Sequence, residues 1–461
     1  MQYLGIEYKM KHAPKLDPNF IPFGVWREAY LKGASKPIAI ALEREKGRVS
    51  VHKTFIHGTP EMAEADYRYV ERYVKFLLWS TGGFRVSICG CSELAQKLQK
   101  AYSAGGERDF DHTFFFQLYE QELVIEDLPL ESCPEDNEVA VPMGGNMDGC
   151  RIGFDAGGSD TKGSAAVDGE TIFSEEVVWL PKLNEDPDYH FNHIVGAMKL
   201  AAEKMPRVDA IGVSSAGVFI GNAPMVASLF IKVPRSQWDK VKTIYDRAAA
   251  EIDPNIPVLV ANDGDVSALA GAMGLGKGNL MGIAMGTSEA VGYVDEDQNV
   301  LGSINELAFA PVDLQANAMQ DEWSTDYGVG CKYFSQDAVI KLAPVAGIEL
   351  DESLSLAEKL KAVQALMEQD DPRAIALFET IGAYLGYTVV QYSQFYNIDY
   401  MMLMGRVMSG KGGDTILRVC NEILADEYPE LAKKCLVTLP DEKMRRVGQA
   451  VAAASLPKLN K

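Results

Sequence analysis

The chain has 461 residues, 47% of them hydrophobic and 24% charged, which is ordinary globular composition and too long for one hydrophobic core, so two or three domains are expected. A formal net charge of −21 excludes the broad basic surface that displaces counterions from DNA or RNA, so no nucleic-acid partner is expected. No stretch approaches the ~20 apolar residues of a membrane helix, and Met1 to Phe20 lack the apolar core of a signal peptide. A cytoplasmic protein with no membrane partner is expected.

The seven cysteines are scattered apart from Cys89-Gly90-Cys91, and no CxxC pair occurs. Reduced, mostly buried thiols are expected, and no structural zinc.

In chain order, Pro37 to Leu42 and Arg48 to Ile56 read as two strands joined by a turn at Glu45-Lys46-Gly47. A helix follows from about Glu61 to Trp79, with Val70, Val74, Leu77 and Leu78 at helical spacing. An apolar strand (Phe84 to Cys89) and a helix (Glu93 to Tyr102) come next. The cluster Arg108-Asp109-Phe110-Asp111-His112 reads as a surface or interface salt-bridge turn. The turn-rich stretch Pro142-Met143-Gly144-Gly145-Asn146 marks a boundary, setting residues 1–145 apart as an N-terminal α/β accessory domain.

Past the boundary, Arg151 to Phe154, Thr161 to Val167 and Thr171 to Trp179 read as a meander of three strands. A helix (Phe191 to Lys204), a strand (Ala210 to Ser214), a helix after Trp238 and a buried strand (Val258 to Ala261) follow. The pair Met281 to Met285 and Ala290 to Val294, a long helical region from Leu354 to Tyr396, a strand at Met401 to Met404 and a helix at Val447 to Ala454 complete an α/β layout. The first 140 residues echo the order of 150–215 without its glycine-rich turn. A degenerate duplication and a chance recurrence both account for that.

Four segments carry candidate chemistry. Phe154-Asp155-Ala156-Gly157-Gly158-Ser159-Asp160-Thr161-Lys162-Gly163 lies between two strands, and a turn with two glycines lets backbone amides approach phosphate oxygens. Asp155, ending a buried strand, suits Mg²⁺, which takes one or two carboxylates and keeps its waters; Thr161 adds a hydroxyl and Lys162 a cation. A simple hairpin turn is the alternative. In Val258-Leu259-Val260-Ala261-Asn262-Asp263-Gly264-Asp265, a buried strand ends in Asn-Asp, where ligands of open α/β sheets bind. Asp263 is placed to take the proton of an attacking hydroxyl, with Asn262 holding a neighbouring one. Alternatively, these residues cap the helix expected near Val266, Asp265 being the more natural cap. The turns Gly286-Thr287-Ser288 and Met404-Gly405-Arg406 are two further glycine-bearing strand ends, and each alone also fits an ordinary connection.

In their order, these segments resemble the phosphate-one, catalytic-aspartate, phosphate-two and adenosine segments of the actin-like ATPase superfamily, most closely the ROK family of sugar kinases and repressors. The likeness covers about 150–455 and includes Gly212-Val213-Ser214-Ser215-Ala216-Gly217 and Gly448-Gln449-Ala450. It implies two actin-like (ribonuclease H-like) α/β lobes around a cleft: 150–262, with 440–461 packing back on it, and 263–439. It further implies a phosphotransferase moving phosphate from ATP with Mg²⁺ to a hydroxyl of a small sugar or polyol. Asp263 would be the base and Asp155 the metal residue. Gly157, Gly158, Ser159, Thr161, Lys162, Gly286, Thr287, Ser288, Gly405 and Arg406 would hold phosphates and nucleoside; Asn262, Glu306, Ser215 and Gly217 would hold substrate. A homodimer is one option for assembly.

The chain departs from that pattern in four places. Glu306-Leu307-Ala308-Phe309 keeps the family's glutamate but puts phenylalanine where histidine is usual, and Cys331 alone remains of the zinc loop. Ser288 replaces a glycine, and Asp160 adds a carboxylate that would repel a nucleotide, so pyrophosphate is an alternative donor. A non-catalytic sugar-sensing protein of the same fold is the alternative function. Trp179, Trp238 and Trp323 are expected to pack in the core or a cleft wall rather than stack on sugar.

Overall fold

The structure, a computed structural model, describes residues 1–139, 142–442, 444–445 and 448–459. It divides into two compact units: Met1–Val139, Ile283–Val291 and Asn305–Leu439 form one, and Ala140–Gly282, Gly292–Ile304 and Pro440–Lys461 the other. Residues 1–139, which read as an accessory domain, thus share a unit with 305–439.

Following α1 (Phe23–Leu31), the first unit builds a hairpin from β1 (Lys36–Arg44) and β2 (Arg48–Ile56). Its turn places Lys46 at φ 63° and Gly47 at φ 69°, the left-handed conformation that lets two strands reverse tightly. After α2 (Ala63–Ser80), β3 (Arg85–Cys89) pairs antiparallel with β1. Helices α3 (Ser92–Ala101) and α4 (Asp109–Tyr119) precede β4 (Val124–Leu128), which lies parallel to β3, and the sheet order is β2–β1–β3–β4.

The cluster at 108–112 is not a surface turn. Asp109 opens α4, and Arg108 and Asp111 are 5% and 1% exposed. Arg108 pairs with Glu71 at 2.6 Å and Asp326 at 2.5 Å; Lys75 reaches Asp111 and Asp326, each at 2.9 Å; Arg72 reaches Glu71 at 2.6 Å and Asp326 at 3.2 Å. Burial opposes a charge on Asp326, but Arg72, Lys75 and Arg108 outweigh it and hold that carboxyl well below its usual range. Buried charges persist only when paired in this way. The residues that complete the cluster are far away in sequence, so its local composition resembles that of a solvated turn.

In the second unit, β5 (Cys150–Ala156), β6 (Asp160–Val167) and β7 (Glu170–Val178) form the expected meander. Helix α5 (Pro187–Ala202) starts where Asp186 accepts the Asp188 amide and Pro187 needs no donor of its own. Strand β8 (Ala210–Ser215) then runs parallel to β5, and, after short helices at 238–242 and 244–250, β9 (Val258–Asn262) runs parallel to β8. The order is β9–β8–β5–β6–β7. Ile152, Phe154, Val213, Ile194, Met198, Trp179 and Tyr245 fill the core on one face. The β5–β8 pair is parallel, whereas the β1–β3 pair is antiparallel.

Helix α6 (Asp263–Leu275) follows β9 and ends at Gly276, φ 69°, the left-handed C-terminal stop. Strands β10 (Leu280–Met285) and β11 (Glu289–Val294) come next, then α7 (Gln336–Val345), which the sequence reading missed. The expected single helical region is two helices, α8 (Leu356–Glu368) and α9 (Pro372–Tyr392). Asp370 breaks them at φ 59°, and Asp371 caps the second by accepting the Arg373 amide. Strand β12 (Tyr400–Met404), α10 (Gly410–Glu427) and β13 (Leu436–Thr438) follow, and the sheet order is β11–β10–β12–β13.

The terminal helix α11 (Gln449–Ala454) lies directly on β5 and β8; Val447, its expected start, is outside the described residues. A Cβ on Gly153 of β5 would fall on the Ala450 carbonyl, and one on Gly212 of β8 would fall on the Ala453 carbonyl. Glycine at these positions brings helix and sheet backbones into contact. Gly212→Ala is therefore expected to lower the stability of this unit by roughly 3 kcal/mol, read as a shift in the urea midpoint at unchanged slope. An unchanged midpoint would show that helix and sheet are not in contact here.

Candidate active site

The site in the second unit forms where three parallel strands end together. In register, Asp155 of β5 is level with Ser214 of β8, and Ser215 of β8 with Asn262 of β9. Asp263 follows at the first turn of α6. Register alone thus gathers Asp155, Ser214 and the Asn262-Asp263 step along one sheet edge, the carboxyl edge where α/β sheets bind ligands.

Asp155 is half-buried, and burial, followed by repulsion from Asp263 and Asp160, pushes its carboxyl up to about 6 against the opposing pull of the Ser214 hydroxyl and Lys162. Asp263 is also raised, by burial, against backbone hydrogen bonds at Gly264 and its own residue. Two carboxylates that repel one another with one partial counter-charge suit a divalent cation, whose charge would relieve both. Mg²⁺ asks for no more than one or two carboxylates and water. Among the described residues no group of three or more His, Cys, Asp or Glu side chains is placed to hold a metal ion.

Asn262 is the cap of α6. Its side chain accepts the Gly264 amide at 2.7 Å and donates to the Gly217 carbonyl at 2.8 Å. Asp265, the expected cap, instead accepts the Tyr293 amide at 3.1 Å. Gly217 sits at φ 134°, and a Cβ there would meet Ala227 at 2.6 Å, so its carbonyl is fixed where Asn262 needs it. Ser215 is fully buried and accepts the Tyr245 hydroxyl at 2.7 Å.

The glycine turn is partly self-satisfied. The Gly157 amide donates to the Asp160 carbonyl at 2.9 Å, and the Ser159 hydroxyl donates to the Asp160 carboxylate at 2.6 Å. Trp179, 1% exposed, clamps the turn from beneath, its indole N–H donating to the Gly157 carbonyl at 2.8 Å. Thr161 is 1% exposed, with its hydroxyl toward the Val177 carbonyl at 3.4 Å. Gly158 is exposed, and a Cβ there would lie 3.6 Å from the Lys182 ammonium.

Sequence reasoning missed three contributors. Ser214 bonds Asp155, Gln449 donates to the Ser214 hydroxyl at 3.1 Å and to the Asp263 carbonyl at 2.9 Å, and Lys182 stands near the glycine turn. Strand register was the missing signal for Ser214. Gln449 stands in the Gly448-Gln449-Ala450 segment that the resemblance includes, and nothing local marks Lys182.

In the first unit, Gly286 donates to the Ser288 carbonyl at 3.0 Å and accepts the Gln336 amide, at the start of α7, at 2.9 Å, while Thr287 and Ser288 are exposed. Gly405, φ 94°, is in contact with this hairpin, because a Cβ there would fall on the Met285 carbonyl. The neighbouring Arg406 is exposed, and its carbonyl accepts from Gln364 at 2.8 Å. Half-buried Glu306 precedes the turn 307–309. Phe309 packs against Trp79 at 4.7 Å and Trp323 at 5.2 Å. Trp238 is 7% exposed and lies in the core, whereas Trp323 is 59% exposed.

No family model matches the chain, and no curated protein matches it. Solved structures do match. A ROK hexokinase from Thermus thermophilus is 17% identical, with 67% of this chain and 97% of that one covered and a TM-score of 0.51. A ROK family transcriptional regulator, a homolog of the E. coli MLC protein, is 15% identical, with 67% and 79% covered and a TM-score of 0.52. The chain has the ROK fold. A hexokinase and a regulator share the ROK fold, so the fold alone does not choose between catalysis and sensing.

The Asp155 carboxyl supplies a pH signature. Its folded value lies above the ordinary 3.8, so the stability tied to its protonated form is complete below about pH 4 and is lost as pH rises through about 6. Asp155→Asn, which keeps an acceptor for Ser214, is expected to raise the Tm by roughly 2–4 °C at pH 7.5 and by nothing at pH 4. A gain that does not vary with pH would show that Asp155 carries no such strain.

Proposed function

We propose that the protein transfers a phosphoryl group from ATP, or from another donor such as pyrophosphate, to a hydroxyl of a small sugar or polyol in the presence of Mg²⁺. The observation that carries this reading is the pair of half-buried, mutually repelling carboxylates, Asp155 and Asp263, at the carboxyl ends of β5 and β9 beside an exposed glycine turn.

In this reading the acceptor hydroxyl attacks the terminal phosphorus and passes its proton to Asp263; the new O–P bond forms as the bond to the donor's bridging oxygen breaks. A carboxylate whose basicity is raised by burial is a better proton acceptor than a free one. Asn262 and Gly264 hold the start of α6, and Gln449 holds the Asp263 carbonyl, so the base is fixed from both sides. Mg²⁺, when bound, neutralises charge on the donor phosphates; Asp155 would hold it through water, itself oriented by Ser214. Positioning and charge compensation do most of the work, because the loose transition state asks for little covalent help. Gly158 and Lys182 are assigned to the phosphates. Gly286, Thr287, Ser288, Gly405 and Arg406 are assigned to the nucleotide by resemblance, and Glu306 to a substrate hydroxyl on the same ground.

A sugar-sensing protein is the second reading, favoured by Phe309, which stands in an aromatic cluster where the family's sugar-facing histidine is usual. Asp263→Asn separates the two. With a sugar or polyol selected by thermal shift, the variant is expected to lose roughly 10³-fold or more in kcat at a Tm no lower than that of wild type. Turnover within a few-fold of wild type would remove Asp263 from the mechanism, and binding without turnover by the wild type on any donor would establish the sensor.

A further inference from the structure

Glu289 opens β11, directly after the Gly286–Ser288 turn, and is 4% exposed. The Tyr392 hydroxyl of α9 donates to its Oε1 at 3.3 Å, while Oε2 is buried with no hydrogen-bond partner. Gly330 makes room for Oε2: a Cβ there would fall on that oxygen and lie 2.6 Å from the Leu307 carbonyl. Oε2 therefore lies beside the backbone of the residue that follows Glu306. The ionisable groups that face Glu289 are Glu306, the Tyr392 phenol and the Cys331 thiol. The nearby Lys332 ammonium is taken by Asp321 at 3.2 Å and Asp337 at 2.6 Å, and it also pairs with Glu322.

A buried carboxylate with one long hydrogen bond and no cation does not persist as a charge. Burial, with Glu306 adding to it and Tyr392 opposing, pushes Glu289 up to about 8. A protonated Glu289 exerts no charge repulsion on Glu306.

We propose that Glu289 is a positioning residue for Glu306: it lies beside the backbone that follows Glu306 and, as a neutral acid, exerts no charge repulsion on it. The inference rests on the assignment of Glu306 to a substrate hydroxyl and adds a limit to it. Substrate binding would weaken above pH 8, when Glu289 ionises and the two carboxylates repel.

Glu289→Gln keeps the size and the neutrality and removes the titration. The stability tied to protonated Glu289 is complete below about pH 4.5 and is lost as pH rises through about 8. The Tm of wild type minus that of E289Q is therefore expected to fall by several degrees from pH 5 to pH 9. Glu306→Gln is expected to raise the Tm at pH 9 in wild type but not in E289Q, and to act equally in both at pH 6. A Tm difference that is flat with pH, or an effect of E306Q that is the same in both backgrounds at pH 9, overturns the proposal. For whichever of D-glucose, D-fructose and glycerol is turned over, wild-type KM is expected to rise up to about tenfold between pH 7 and 9, with kcat moving less and E289Q flat; a rise shared by E289Q also overturns it. Turnover of none of these sugars, with the Tm coupling intact, would count against the kinase reading and leave the Glu289–Glu306 pairing standing.

Discussion

The candidate site depends on a contact between α11 and the sheet that only glycine permits. Gly153 and Gly212 remove the side chains that would hold the helix off β5 and β8, and the Ala450 and Ala453 carbonyls occupy that space. At this separation Gln449 reaches both the Ser214 hydroxyl and the Asp263 carbonyl. Ser214 in turn bonds Asp155. One short helix near the end of the chain thus ties together two carboxylates whose repulsion would otherwise move them apart. The two glycines belong to the site as much as the acids do, although neither has a functional group.

Three groups of buried acids show where the chain compensates charge and where it does not. Glu71, Asp111 and Asp326 are matched by Arg72, Lys75 and Arg108, and the Asp326 carboxyl is held well below its ordinary range. That network is saturated. Asp155 has only Lys162 against Asp263 and Asp160, and Glu289 has no cation against Glu306. A fold that can match three acids with three cations in one place, yet leaves others raised, has charge-starved positions that a ligand or a retained proton must balance. Strongly shifted groups gather at functional sites for this reason, and here the contrast lies within one molecule.

Legibility from sequence followed the range of the interactions. The β5–β6 turn, the strand ending at Asn262 and the Asn-Asp step were visible because each is set by neighbours in the chain. The same local view gave Asn262 a substrate role and Asp265 the cap, although the structure gives the cap to Asn262. An Asn directly before a helix satisfies both descriptions until the helix start is known. Arg108 to Asp111 went astray for the opposite reason. Their partners Glu71 and Asp326 lie far off in the chain, and a buried network and a solvated turn have the same composition. Strand direction, which a linear order of elements does not encode, differs between the β5–β8 and β1–β3 pairs.

Phe309 shows how a departure from a family pattern can be physical rather than incidental. A histidine at this position would have to find partners for two ring nitrogens among Trp79, Phe110 and Trp323, whose rings surround the phenylalanine at 4.7, 5.9 and 5.2 Å. The Trp79 N–H already donates to Asp111 at 2.5 Å. Asp111 in turn holds Lys75 and so belongs to the saturated ion network. The exchange of histidine for phenylalanine is thus coupled to that network: the tryptophan that packs on Phe309 is the one that solvates a buried carboxylate. Histidine at position 309 would replace an aromatic contact with a ring whose nitrogens need partners.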